Sequence, residues 1–287
     1  MSYGLPYKGS KNLIAKWLIE QLPTADVFVD LFCGGGAVTH AAMLSGKYKR
    51  FIINDRISEM PNAFINAIRG EYSKPEYRRW VSREEFMRDK DNDMFVRLCW
   101  SFGNNGKDYL YSKQLEPYKK AAHYAIVYDD FSLFEQLYGE VSAAAQQALN
   151  GLSDLKSRRI VFGRSCSLRL QSLQSLERLQ SLERLERLQS LDVTDYVSAF
   201  GIDYQSVTIP ENSVIYCDIP YLGTDCGCYS GFDYNRFYEW ARKQNNIFIS
   251  EYSMPEPFKC IAEKQKSVLS SARGCEKLKE TERLFTV

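Results

Sequence analysis

The sequence predicts an α/β protein in which the sheet-forming segments come from the two ends of the chain. Short apolar runs, each typical of a buried parallel strand, occur before residue 60 and again after residue 210. The first run is followed by consecutive glycines and then by a helical pattern. From about residue 61 to 195 this alternation of strand, turn and helix stops, which indicates a mainly helical insertion.

The composition is that of an ordinary globular protein. The chain has 287 residues, of which 45% are apolar and 25% charged, and its net charge is +1. No apolar run approaches the roughly 18 residues of a membrane span, and the first residues lack the build of a signal peptide. We therefore expect a cytoplasmic protein without a membrane partner. The small net charge neither favours nor excludes nucleic acid, because a basic patch can form on a neutral whole.

The cysteines do not follow a metal-binding pattern. There are eight of them, no two in a Cys-x-x-Cys spacing, and only two histidines. A structural zinc site is therefore not expected, and we predict reduced thiols and no metal. The closest pair is Cys226-Gly227-Cys228, in a glycine-containing loop.

A glycine turn follows the first predicted strand, Val27 to Phe32, and precedes a helix. Strand, glycine turn and helix form the first half of a Rossmann-type unit. A second strand, 51–55, ends in Asp55, about where such folds place the carboxylate that binds a ribose. Neither a Gly-x-Gly-x-x-Gly motif nor a P-loop lysine is present. A nucleoside-containing ligand without a pyrophosphate, such as S-adenosylmethionine (SAM), therefore fits better than NAD or ATP.

The tetrad Asp218-Ile219-Pro220-Tyr221 follows the apolar run 213–217. An acid, a proline and an aromatic residue then lie at the carboxyl end of a buried strand, where open α/β sheets bind ligands. The competing interpretation is an acid that caps a turn.

Other local signals predict further element boundaries. Ser10 and Asp233 are expected to be helix N-caps. Further strands are predicted at 191–194, 207–209 and 246–252, and an edge strand at 284–287.

The inserted segment combines basic and aromatic residues. The basic residues of its first part are Arg78, Arg79, Arg83, Arg88, Lys90 and Arg97. An aromatic and Asn/Gly-rich turn, 99–107, is followed by tyrosines interleaved with lysines. Such a pattern suits a surface that contacts phosphates and stacks on bases, and it equally suits a helical subdomain with tyrosines in its own core.

Residues 170–191 form a tandem repeat of three-residue units built on Leu-Gln-Ser and Leu-Glu-Arg. A step of three residues rotates about 300° on an α-helix, so the leucine stripe drifts around the helix. We predict a helix, with an irregular stack of short turns as the alternative, and assign the repeat no chemistry.

These pieces, in this order, resemble the Dam-type (class alpha) N6-adenine-specific DNA methyltransferases. The matching stretches are Tyr7-Lys8-Gly9-Ser10-Lys11, Asp30-Leu31-Phe32-Cys33-Gly34-Gly35-Gly36, Asn54-Asp55, Asp218-Ile219-Pro220-Tyr221 and Ile249-Ser250-Glu251-Tyr252. The resemblance implies a Rossmann-like SAM-dependent methyltransferase fold. Residues 1–70 and 196–287 would form the SAM-binding catalytic domain, and 71–195 an inserted, mainly helical DNA-recognition domain. The family tetrad is Asp-Pro-Pro-Tyr, so Ile219 departs from it at a position where proline stiffens the turn.

The resemblance also implies roles for individual residues. The cofactor-binding residues would be Tyr7, Lys11, Asp30, Phe32, Gly34, Gly36, Asp55 and Asp218, with Asp55 on the ribose hydroxyls. Asp218 and the main-chain carbonyl of Pro220 would accept the two N–H groups of the adenine amine, and Tyr221 and Phe232 would stack on the base.

The expected function is site-specific transfer of a methyl group from SAM to N6 of an adenine flipped out of DNA. Double-stranded DNA is the implied partner, and a cognate restriction enzyme is a second, in a restriction-modification system. One alternative keeps the chemistry and changes the amine to that of cytosine, RNA or a glutamine side chain. Another is a SAM- or DNA-binding module with little catalysis, in which Ile219 marks decay.

Overall fold

A computed structural model describes residues 3–139, 141–167, 177–188, 196–223, 231–270 and 276–287. The chain forms two compact units. The first comprises Met1–Gly4, Ser10–Ile65 and Leu191–Val287, and the second comprises Leu5–Gly9 and Asn66–Ser190. The functions predicted for the two parts of the chain, catalysis at its ends and recognition in its middle, stay predictions.

The first unit is built on a sheet of seven strands in the order β3-β2-β1-β4-β5-β7-β6. The strands are β1 (Val27–Asp30), β2 (Arg50–Asn54), β3 (Val197–Phe200), β4 (Ser213–Asp218), β5 (Ile247–Glu251), β6 (Lys259–Ser270) and β7 (Glu276–Thr286). Strands β1 to β5 pair in parallel, whereas β7 is antiparallel to both β5 and β6. Because β1 lies between β2 and β4, the strand order reverses there, which creates a switch point at their carboxyl ends.

Two faces of this sheet differ in character. Side chains alternate along a strand, so Ile215 and Cys217 face one side while Tyr216 and Asp218 face the other. The first side packs against helix α11 (Tyr234–Ala241) in an apolar cluster that includes Phe237 and Phe285. The second side carries Asp30 and Asp218, the acids that end β1 and β4.

The structure tests the predicted caps. The Asp233 carboxylate accepts the Arg236 N–H at 3.0 Å and caps α11, as predicted. The prediction for Ser10 was wrong, because helix α1 (Ala15–Gln21) has Ile14 at its cap position and no side-chain cap. Helix α2 (Ala37–Ser45) follows the glycine turn.

Several strand predictions are confirmed and others are wrong. β1, β2, β4 and β5 lie where the apolar runs placed them. Residues 207–209 form a loop, and the stretch 191–194 is outside the described residues. The predicted edge strand at the carboxyl terminus is the end of β7, which lies inside the sheet between β5 and β6. Strands β3 and β6 were not predicted.

The second unit is helical in its described part. Its helices are α4 (Arg83–Asp89), α5 (Met94–Cys99), α6 (Glu116–Tyr128), α7 (Ser132–Tyr138), α8 (Val141–Leu149), α9 (Leu155–Ser167) and α10 (Glu177–Leu188), and helix α3 (Glu59–Ile68) spans the boundary between the two units. The described part of the three-residue repeat is α10, so it is helical there, as predicted. Its leucines at 179, 182, 185 and 188 are all buried.

The aromatic residues of the second unit form a core. Tyr109 and Tyr111 are buried together with Trp80 and Trp100. This favours the packed-core interpretation of the interleaved tyrosines. Part of the basic stretch is paired within the unit, in the salt bridges Arg79–Glu85, Arg83–Glu116 and Arg88–Asp89.

Two further expectations concern thiols and membranes. Cys33, Cys99, Cys217 and Cys260 are free thiols, and Cys226 and Cys228 are outside the described residues.

None of the helices in the described part of the chain combines the length and the apolarity that a membrane span requires.

Candidate active site

Three acids lie at the carboxyl ends of adjacent parallel strands. Asp30 is the last residue of β1, Asp218 is the last residue of β4, and Asp55 follows β2. The register places Asp30 opposite Tyr216, two residues before Asp218. The topology thus brings together at the switch point three carboxylates that are far apart in sequence.

Asp30 is a buried acid with one oxygen that is unpartnered among the described residues. Its side chain is 1% exposed, and the Thr39 hydroxyl of α2 donates a hydrogen bond to Oδ2 at 2.6 Å. Oδ1 has no hydrogen-bond partner among the described residues. Burial raises the pKa of this carboxyl from 3.8 to about 7, with smaller contributions from Asp218 and Asp55 and an opposing one from the Thr39 hydrogen bond. An unsatisfied buried acceptor is costly, so this atom is suited to a ligand that carries a donor or a positive charge.

Asp55 holds the glycine turn in place. Its Oδ2 accepts the Gly34 N–H at 2.8 Å, and its Oδ1 accepts the Ile57 N–H at 2.9 Å. Gly36 has φ +68°, and a Cβ atom there would come within 2.4 Å of the Phe64 side chain. Only glycine fits this position, because an L side chain would meet both backbone strain and a steric clash. The turn is therefore fixed by the acid on one side and by close packing on the other.

Asp218 forms an ion pair with a lysine from the amino-terminal segment. Lys11 Nζ lies 2.7 Å from Asp218 Oδ1, and the Lys11 side chain is buried. Burial lowers the pKa of the Lys11 ammonium, but the attraction of Asp218, Glu282 and Glu251 outweighs it, so the pKa is raised. Lys11 is therefore protonated, and its charge favours the ionised form of Asp218.

Tyr221 is enclosed by charged and aromatic groups. Its ring is 7% exposed, with the Lys11 ammonium 4.5 Å from the ring centroid and the Tyr252 ring in an edge contact at 4.6 Å. The Tyr221 hydroxyl donates a hydrogen bond to the Glu282 carboxylate of β7. Sequence reasoning missed Glu282, since nothing in a Lys/Glu-rich strand marks one acid as buried.

Glu251 supports the loop that follows the tetrad. Its carboxylate accepts the Leu222 N–H at 2.7 Å and also the Tyr252 N–H. Burial raises the pKa of Glu251. The stretch 249–252 matched the resemblance, but sequence alone assigned this acid no role.

Other predicted residues lie elsewhere. The Phe32 and Phe232 rings contact each other at 5.8 Å, and both pack against the apolar cluster on the α11 side. Among the described residues, the aromatic rings in contact with Phe232 are those of Phe32, Tyr204, Tyr234 and Phe237. Pro220 is half-buried next to Tyr221. Tyr7 belongs to the second unit, so its predicted role at the cofactor stays a prediction.

A comparison with protein-family models matches residues 7–151 to the D12 class N6 adenine-specific DNA methyltransferases. The match covers half of the chain. The chain belongs to this family. Its members are SAM-dependent enzymes that methylate adenine in DNA, and the seven-stranded α/β sheet is consistent with a methyltransferase fold. A search of curated proteins found no match to this methyltransferase.

The family implies SAM as the methyl donor, and the residues of the site fit such a ligand. SAM carries a sulfonium, an ammonium and a ribose diol, all of which favour hydrogen-bond acceptors or negative charge. The edge of the sheet supplies Asp30, Asp55 and Asp218, and Asp30 Oδ1 is a buried acceptor without a partner among the described residues. No group of three or more His, Cys, Asp or Glu side chains in the described ranges is arranged to hold a metal ion.

Proposed function

We propose that the chain is a Dam-type (class alpha) enzyme that methylates N6 of an adenine flipped out of double-stranded DNA at a specific site. The observation that carries this proposal is the Asp218 carboxylate, which ends β4 at the switch point and pairs with Lys11 at 2.7 Å. A carboxylate held ionised at that point is an acceptor for an amino group.

Asp218 and Pro220 act on the amino group of the base. An adenine amine is a poor nucleophile because its lone pair is delocalised into the ring. The Asp218 carboxylate accepts one N–H group and the Pro220 carbonyl accepts the other, which orients the lone pair for attack. Both acceptors also stabilise the positive charge that develops on the nitrogen. SAM supplies the methyl group in activated form, as a sulfonium.

Lys11 keeps Asp218 in the state that this role needs. A carboxylate offers about four acceptor positions on its two oxygens, so an ion pair with Lys11 is compatible with a hydrogen bond from the base. Without the ammonium, the mutual repulsion of Asp218 and Glu251 would favour protonation of one of them. A protonated Asp218 would donate a hydrogen bond and lose half of its acceptor capacity.

The remaining strand-end residues hold SAM. Asp30 supplies a buried acceptor, and the turn from Phe32 through Gly34 to Gly36 brings the backbone close to the ligand. Asp55, whose carboxylate is an acceptor, binds the ribose hydroxyls. Lys11, in the same unit, completes the pocket.

Tyr221 stacks on the flipped base. Flipping costs a few kcal/mol of stacking and pairing, which the enclosed site offsets by contacts to the extruded base. The departure of Ile219 from the family proline leaves the acid, the second proline and the aromatic residue in place.

The second unit is the target-recognition domain in this proposal. Support comes from the family match, which continues through residue 151, and from a half-open cleft of about 450 Å³ in that unit. The cleft is lined by Arg83, Lys119 and the exposed rim residues Met87, Phe102 and Leu115. Of these, Arg83 is paired with Glu116 and Lys119 is buried, so the exposed apolar rim residues are the groups suited to contact with bases. The enzyme would serve DNA modification, alone or with a cognate restriction enzyme.

The product identifies the function. Unmethylated bacterial genomic DNA is incubated with the purified chain and SAM, digested to nucleosides and analysed by mass spectrometry. The proposal predicts N6-methyladenine that accumulates with time and depends on SAM. N4-methylcytosine in its place, or methylation of RNA but not DNA, would overturn it. The same reaction is run on native and on heat-denatured DNA. Comparing the two yields of N6-methyladenine distinguishes double-stranded from single-stranded substrate.

A further inference from the structure

We propose that Glu282 of β7 is a positioning residue that fixes the ring of Tyr221 before the target base arrives. This inference rests on the proposed stacking role of Tyr221. Its basis is the location of a buried acid on a strand remote in sequence from every motif described above, together with its hydrogen bond to the tetrad.

The sheet directs Glu282 towards the active site. β7 runs antiparallel to β5, with Leu284 opposite Ser250 and Arg283 opposite Glu251. Glu282 thus lies just beyond the carboxyl end of β5, next to the edge that carries Asp218. Since side chains alternate along a strand, Glu282 shares the face of Leu284, and both are 0% exposed.

A buried glutamate in a hairpin strand requires an explanation. Glutamate is almost never fully buried unless it is paired, because removing a carboxylate from water costs several kcal/mol. Leu284, its neighbour on the same face, shows that an apolar side chain suits this surface. The Tyr221 hydroxyl donates to the Glu282 carboxylate, and the charge of Glu282 also acts on the Lys11 ammonium.

The hydrogen bond to Glu282 completes a three-point restraint on Tyr221. The ring has two rotatable side-chain bonds. Its edge contact with Tyr252 at 4.6 Å and the Lys11 ammonium 4.5 Å from its centroid limit its tilt. The hydroxyl bond to Glu282 fixes the far end of the ring. A stacking surface held in one orientation lowers the entropy lost when the base docks, and this raises the rate of transfer.

A double-mutant cycle tests the inference. Tyr221→Phe keeps the ring and removes the hydroxyl, whereas Glu282→Leu removes the acceptor and keeps an apolar side chain of similar size. Each change should lower kcat/KM for DNA by about 10- to 100-fold, since small misplacements at a reacting centre cost this much. The double variant should lose no more than the worse single variant, because both changes remove one interaction. The affinity for SAM, measured by calorimetry, should stay within about twofold of wild type.

Glu282→Gln is the conservative variant and Glu263→Gln the matched control. The amide oxygen of glutamine still accepts the tyrosine hydroxyl, so Glu282→Gln should retain activity within a few-fold of wild type. Glu263 lies on the adjacent strand β6 and is exposed, so its change should have no effect. Thermal melting shows whether Glu282→Leu folds. If it does not, the activities of Tyr221→Phe and Glu282→Gln still test the positioning role of Glu282.

The outcomes separate this inference from the proposed function. A wild-type enzyme that forms no N6-methyladenine would overturn both. A wild-type enzyme that forms it, combined with Tyr221→Phe at the wild-type rate or with additive losses in the double variant, would overturn only the positioning role. Glu282→Gln as slow as Glu282→Leu would also contradict it, since charge rather than the hydrogen bond would then matter.

Discussion

Buried charge is handled differently in the two units. The first unit has Asp30, Asp218 and Glu251 at the ends of β1, β4 and β5. Asp218, Glu251 and Glu282 of β7 act on the buried Lys11. The second unit instead buries a cation, Arg178 of α10, which is 1% exposed. Its guanidinium lies 4.8 Å from the ring centroids of Phe95 and of Trp100, and donates to the Tyr77 carbonyl at 2.8 Å.

The difference lies in what surrounds each charge. Around Arg178, aromatic rings close the site, and burial lowers its pKa to about 10. The nearby His123 is neutral, since burial lowers its pKa to about 3, and it contacts the Arg78 carbonyl. In the first unit Asp30 and Asp218 lie at the switch point of an open sheet, where ligands bind. Buried charge in the second unit is therefore structural, whereas in the first unit it is arranged for a cationic ligand and an amino group.

The largest expected effect is that of Asp218→Ala. Loss of the acceptor should reduce methyl transfer by about 1,000-fold or more, because the amine is no longer oriented or stabilised. SAM should still bind, since Asp30, Asp55 and the glycine turn remain. Transfer is followed with tritiated SAM and DNA, and SAM binding by calorimetry, with the exposed Glu211→Ala as control. Transfer near the wild-type rate would contradict the assignment.

Arg178→Ala should instead act on stability. Removing the side chain leaves a cavity between Phe95 and Trp100, at a cost of about 2–5 kcal/mol in the free energy of unfolding. Arg178→Met fills the space without a buried charge, so it should be close to neutral or stabilising. Urea unfolding measures both. If Arg178→Met were as destabilising as Arg178→Ala, the guanidinium itself would carry a role that the ring contacts do not explain.

Asp30 should make the stability of the protein depend on pH. Its pKa is about 7 in the folded state and about 3.9 when unfolded. Between these values only the folded state binds the proton, so stability falls as pH rises and levels off above about pH 7. The loss amounts to at most about 4 kcal/mol, at 1.36 kcal/mol per pKa unit. Asp30→Asn removes this dependence.

Urea unfolding of wild type and Asp30→Asn at pH 5.5 and pH 8 checks this prediction. The free energies of unfolding of wild type and Asp30→Asn should differ more at pH 8 than at pH 5.5. At pH 8 the variant should be the more stable. An equal difference at both values would show that Asp30 does not titrate in this range. Asp91→Asn, a change at an exposed aspartate, is the control.

A smaller effect is expected for Asp55→Ala. The change removes both the proposed ribose contact and the hydrogen bond to Gly34, and should weaken SAM binding by about 10- to 100-fold, the loss of one or two charge-assisted hydrogen bonds. Target preference should not change. Calorimetry with SAM measures the first quantity, and sequencing of the methylated sites the second. Unchanged SAM affinity would count against the role of Asp55.

The sequence predicted those strands whose residue pattern is distinctive by itself. The apolar runs of β1, β2, β4 and β5 are buried on both faces, so their composition alone marks them as strands. Asp55 and Asp218 come at the ends of such runs, which is why they could be assigned to one edge of the sheet. Asp30 lies inside the predicted strand Val27 to Phe32, and only the family resemblance places it at the cofactor.

The parts that sequence missed depend on tertiary contacts. β6 and β7 are rich in lysine and glutamate, and charged strands near a sheet edge lack the apolar signal on which strand prediction rests. The partner of Glu282 is Tyr221, 61 positions away, and no local pattern links them. The burial of Arg178 could not be predicted either, because the repeat contains Arg at several equivalent positions in the sequence.

The most direct test of the central claim is hydrogen–deuterium exchange with and without SAM. The account predicts slower exchange in the turn from Phe32 to Gly36, after β2 at 55–57 and around the tetrad at 218–223, with no change in α5 and α10. These segments contain the acids that should contact the ligand, whereas the two helices hold the structural Arg178. Protection confined to the second unit, or absent from all three segments at saturating SAM, would contradict the account.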